Sequence, residues 1–105
     1  MTNLDFHVSA AEVFWKTGDT SRAISHANEA LALEITREQE ISLWIFIARA
    51  HSKLGNFDES NKILRKLIDD KIYLPPVILT LFYNSLKTNK PEKSARSLSL
   101  IKLFI

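Results

Sequence analysis

The chain has 105 residues, 46% of them hydrophobic and 25% charged, with two Gly, three Pro and no Cys. That length supports one domain with a modest core, in a composition too apolar for disorder and too poor in turn residues for an all-β fold. Lack of Cys excludes disulfides, thiol nucleophiles and Cys-ligated zinc, and a net charge of +2 does not by itself imply nucleic-acid binding.

Charge is unevenly spread. Most acids precede Lys53 and most Lys and Arg follow from it, giving a moderately basic C-terminal half suited to an acidic partner. The opening "MTNLDFHVSA" lacks the basic start and apolar run of a signal peptide. The most apolar stretch, 41–50, is about half of the ~20 residues that span a bilayer. It reads as a buried helix of a protein in the cytoplasm or another reducing compartment.

In chain order, Leu4, Val8, Ala11, Phe14 and Trp15 follow helical spacing over 4–17, and Gly18 ends that helix. Asp19, Thr20 and Ser21 offer N-caps for a second helix, about 20–34, with Ala23, Ile24, Ala27, Ala30, Leu31 and Ile35 on one face. Small Ala residues at that spacing let another helix approach closely. The third helix, about 37–54, is apolar nearly all round in its middle, so neighbours are expected on more than one side. Gly55-Asn56 ends it, and a fourth helix over 57–70 carries Phe57, Ile63, Leu64, Leu67 and Ile68. Pro75 and Pro76 fit a helix start, giving a fifth helix over 76–88 with Val77, Ile78, Leu81, Phe82 and Leu86. A sixth is predicted over 92–104.

The punctuation repeats. Gly18 and Gly55 are 37 residues apart, and Gly55 and Asn89 are 34 apart. A helix–turn–helix unit recurring at about 34 residues is a repeat signature. The second hairpin has Trp44, Ala48, Leu54-Gly55-Asn56-Phe57 and Ser60. The first has Ala11, Phe14, Gly18-Asp19, Ala23 and Ala30, and the third has Pro76, Leu81, Asn89 and Ser94. On these residues the chain resembles the tetratricopeptide repeat family over about 4–104. The third copy departs from the pattern most, because Asn89 replaces the turn Gly and Ser94 an Ala.

The resemblance implies an all-α fold: a right-handed stack of three antiparallel hairpins (about 4–34, 37–70 and 75–104), an α-solenoid of six helices forming a single domain over 1–105. It also implies a concave groove lined by the first helix of each hairpin. By analogy the groove residues are Asp5, Val8, Ser9, Glu12 and Lys16, then Ile45, Phe46, Arg49 and Lys53, then Leu79, Thr80, Tyr83 and Lys87. The expected partner is a protein or peptide, amphipathic and somewhat acidic. Family members that clasp a chaperone's C-terminal carboxylate use Lys, Asn and Arg where this chain has Val8, Glu12, Phe46, Pro76 and Thr80. None of these plays that part, so such a clamp is not expected.

Candidate chemistry is sparse. His7, His26 and His51 fall on three different helices. His26 and Glu29 share one face, but no His-x-x-x-His accompanies them, so no metal site or cofactor is expected. His51 is placed in the core. "SLIK" (99–102) lacks companion motifs, and Asp69-Asp70 flank a solvated turn instead of converging as a catalytic pair. At the C-terminus, Leu100, Leu103, Phe104 and Ile105 leave little polar surface. That marks contact with a further repeat, an oligomer or partner interface, or a membrane surface. The expected function is therefore a non-catalytic adaptor or scaffold that binds a peptide or helix in the groove and assembles through this apolar end. The alternative is a chaperone-like escort for an unstable client polypeptide.

Overall fold

A computed structural model describes residues 2–88. The predicted sixth helix and the apolar positions Leu100, Leu103, Phe104 and Ile105 lie outside the described residues. Among the described residues there are five helices and no strand: α1 (Asn3–Thr17), α2 (Thr20–Leu31), α3 (Arg37–Lys53), α4 (Phe57–Asp69) and α5 (Pro75–Lys87). The second helix thus stops short of the expected 34. Thr36 explains the restart, since it closes a reciprocal capping box with Gln39 at the head of α3.

Two turns share one hydrogen-bond pattern. The Gly18 N–H donates to Trp15 O (3.3 Å) and the Asp19 N–H to Phe14 O (2.8 Å). The Gly55 N–H donates to Ser52 O (3.0 Å) and the Asn56 N–H to His51 O (2.8 Å). Both glycines are left-handed, with φ of +90° and +83°. This is the Schellman ending, in which the left-handed residue lets two orphan carbonyls be capped. A Cβ at either glycine would meet nothing within 4 Å, so the demand is conformational, not spatial. Lys71 closes α4 the same way at φ +63°, with its N–H on Ile68 O and the Ile72 N–H on Leu67 O (both 2.9 Å).

The core sits on both sides of α3. Leu43, Ile47 and Ala50 pack with Ile24, Ala27 and Ala30 of α2, while Leu4, Val8 and Trp15 close that cluster from α1. Ile45 and Ala48 face the other way, against Leu64 and Leu67 of α4 and Val77 of α5. Ala23, Ala27, Ala30, Ala48 and Ala50 are fully buried, which brings helices into near-backbone contact. Contacts between elements give antiparallel pairs α1–α2 and α3–α4, with His7 beside His26 and Ser60 beside Ala48. Helix α5 packs on both α3 and α4.

That last junction is polar. Asn84 is 0% exposed. Its carbonyl oxygen accepts from the Ser52 hydroxyl (2.6 Å), and its amide donates to Ser60 Oγ and Asn61 Oδ1 (both 2.9 Å). The Ser60 hydroxyl in turn donates to Ala48 O (2.7 Å). Among the described residues no buried side-chain polar atom lacks a partner. Losing the amide would strand several buried groups, each costing about 1–3 kcal/mol. Asn84→Leu, similar in size, is therefore expected to destabilise the domain by at least about 2 kcal/mol in urea denaturation. An unchanged midpoint would mean the network contributes nothing.

Candidate functional site

Helices α1, α3 and α5 form one continuous face. Along it α1 and α3 run in the same direction. Leu4, Asp5 and Val8 lie alongside Glu38, Gln39 and Ser42 at one end, whereas Trp15 lies alongside Phe46, Arg49 and Lys53 at the other. Two recesses open on this face. The first, of about 480 Å³, lies between α1 and α3, with Val8, Ala11, Leu43 and Phe46 as its floor and Asp5, Glu12 and Glu38 on its rim. The second, of about 520 Å³, is framed by Trp15, by Arg49, Ser52 and Lys53 of α3, and by Pro75, Pro76, Leu79, Thr80 and Tyr83 of α5.

Trp15 lines the second recess and packs against Phe46 of the first. Its ring centroid is 5.4 Å from that of Phe46, with Lys53 Nζ 4.5 Å above it and the Arg49 guanidinium carbon 5.8 Å away. Lys87 covers the Tyr83 ring similarly at 5.5 Å. Cations over aromatic faces keep their charge at the surface while their stems cover apolar area. Leu79 and Tyr83 remain 56% and 45% exposed, a large apolar surface for so small a domain.

Most of the expected groove residues gather here. Asp5, Val8, Glu12 and Phe46 line the first recess, and Arg49, Lys53, Leu79, Thr80 and Tyr83 the second. Lys87 stands beside the second on its aromatic neighbour, and Ser9 and Lys16 are exposed on α1 without lining either recess. Ile45 is a correction. At 9% exposure it points away from the groove into the α4–α5 core, one residue out of phase with Phe46. Trp15 was missed as a groove residue, although it shares a face with Val8 and Ala11 by helical spacing.

A third recess, of about 360 Å³, lies on the opposite side, lined by Trp44, His51, Glu59, Lys62, Lys66 and others of α2, α3 and α4. Its charges are largely neutralised. Arg37 bridges Glu40 and Asp70 (3.1 Å to Asp70), and Lys62 is 3.6 Å from Glu59. Asp69, the last residue of α4, and Asp70 just after it are both exposed, with Asp70 tied to Arg37. His51 is half-buried at the edge of this recess, not in the core, with Nδ1 3.4 Å from the Asn56 amide.

The histidines hold one surprise: His7 of α1 and His26 of α2 meet with Nδ1 atoms 3.0 Å apart, inside a ring of Phe6 and Phe14. One ring must donate and the other accept. Among the described residues no group of three or more His, Cys, Asp or Glu is placed to hold a metal ion, and no helix is long and apolar enough to cross a membrane.

The Lys53–Trp15 contact is measurable. A double-mutant cycle of Trp15→Leu and Lys53→Met, followed by denaturation, is expected to give a coupling of about 0.5–1 kcal/mol. Zero coupling would place the ammonium in solvent, away from the ring. The chain was also compared with known proteins: no family model, curated protein or solved structure matches it.

Proposed function

We propose that the chain is a tetratricopeptide-like stack of helix hairpins acting as a non-catalytic protein–protein interaction module. A peptide or helix of a partner protein lies in the groove across α1, α3 and α5. The fold part of this reading draws support from the matching Schellman turns at Gly18 and Gly55 and from the parallel course of α1 and α3. The observation that carries the binding part is the contrast between faces. Charges around the outer recess are mostly paired, whereas Glu12, Glu38, Arg49 and Lys53 on the groove face enter no ion pair among the described residues. Surface charges that surround apolar recesses without an ion-pair partner leave their charge open to an incoming one. In the same reading Leu100, Leu103, Phe104 and Ile105 join a larger assembly, as a homo-oligomer or within a longer repeat array.

A second reading, a chaperone-like escort, is favoured by the run of exposed Leu74, Leu79, Tyr83 and Leu86 along and just before α5. Such a surface suits an unfolded client as well as a defined motif.

Selection of random displayed peptides on the folded domain separates the two. The adaptor reading expects short peptides with saturable affinity that Arg49→Glu plus Lys87→Glu weakens roughly tenfold while the melting temperature holds. Peptides that bind this variant unchanged would place the binding surface elsewhere. Solubilisation of an unfolded client that no short peptide competes would favour the escort.

A further inference from the structure

The groove is electrically dipolar. At one end Asp5 of α1 lies alongside Glu38 of α3 on the first recess, and Glu12 lines that recess about two turns further along α1. At the other, Arg49 and Lys53 border the second recess, with Lys87 on its Tyr83 wall. Helix dipoles account for part of this, since acids favour first turns and bases last turns. Asp5 and Glu38 occupy first turns, and Lys53 and Lys87 last turns. In an isolated helix that preference ends there. Here α1 and α3 run parallel, so Asp5 and Glu38 stand at the same end of the face, and Arg49 extends the basic pole one turn back from Lys53. Crowding like charges around an apolar recess is unfavourable unless something of opposite sign arrives.

The spacing fixes what arrives. Glu38 and Arg49 are eleven positions apart on one helix. At about 1.5 Å of rise per residue the poles are separated by about 16 Å. An extended chain covers that in about five residues at ~3.3 Å each. Resting on the peptide-groove reading above, we propose that the occupant is a peptide segment carrying a Lys or Arg at one end and an Asp or Glu about 16 Å away. The cation sits over Asp5 and Glu38, the anion meets Arg49 and Lys53, and apolar side chains between them touch Phe46 and Trp15. This replaces a merely acidic partner with a zwitterionic one, because the acidic pole would repel an anionic peptide lying along the whole groove.

The test uses the random-peptide display selection on the full chain and on two half-reversed variants, Asp5→Lys/Glu38→Lys and Arg49→Glu/Lys53→Glu, together with the variant carrying all four changes. Peptides enriched on the parent are expected to carry both signs of charge at a fixed spacing and to weaken as salt rises. Each half-reversed variant should bind them roughly tenfold more weakly, and the fully reversed variant should bind them again in the opposite direction. The first half-reversed variant should itself select peptides bearing acids alone. Parent-selected peptides of a single sign, or binding indifferent to Asp5→Lys/Glu38→Lys, would overturn the polarity while leaving the groove intact. Peptides whose binding survives Trp15→Ala, or no enrichment at all, would overturn the groove reading with it.

Discussion

Three helices meet on one buried amide. Asn84 joins Ser52 of α3 to Ser60 and Asn61 of α4, and it does so from α5, the helix with the least regular support. Helix α5 has no side-chain cap at its N-terminus and begins instead on Pro75 and Pro76. Its apolar hold is narrow: Val77, Ile78 and Leu81 face inward, whereas Leu79, Tyr83 and Leu86 face out. A satisfied polar network is directional where apolar burial is not, so it sets the rotation of α5 as well as its position. The second recess depends on that rotation, because Leu79, Thr80 and Tyr83 form one of its walls only in that phase.

The rest of the face follows from close packing. Fully buried Ala at the helix contacts allows α2 and α4 to lie tightly behind α1 and α3, which leaves the larger side chains to line the front. Trp15, Phe46, Leu79 and Tyr83 are the residues displaced outward by this arrangement. They are held there by neighbours of their own, Arg49 and Lys53 over one ring and Lys87 over another. Aromatic anchors rimmed by charge are the usual chemistry of a recognition surface.

How much of this was legible in the sequence depended on the kind of signal. Gly18 and Gly55 were readable because a left-handed turn leaves few alternatives to Gly. The Ala spacing in α2 was readable because small residues recur only where helices touch. Ile45 was misplaced for a physical reason: α3 is buried on two sides, and a helix apolar nearly all round does not declare its own rotation. A step of one residue turns a side chain by about 100°, enough to exchange Ile45 for Phe46. Asn84 reads as an ordinary surface polar residue, and only the fold assembles Ser52, Ser60 and Asn61 around it. The contact between His7 and His26 likewise joins positions nineteen apart, which no local pattern announces.

The protein has two tryptophans, and they stand on opposite faces: Trp15 lines the second groove recess, while Trp44 lines the outer one. Their indole N–H resonances therefore report the two faces separately. In a titration with a selected peptide, followed by two-dimensional NMR of the folded domain, the Trp15 signal is predicted to shift in a saturable manner while that of Trp44 stays in place. A saturable shift of Trp44 with Trp15 unmoved would contradict the proposal that the α1–α3–α5 face binds the peptide.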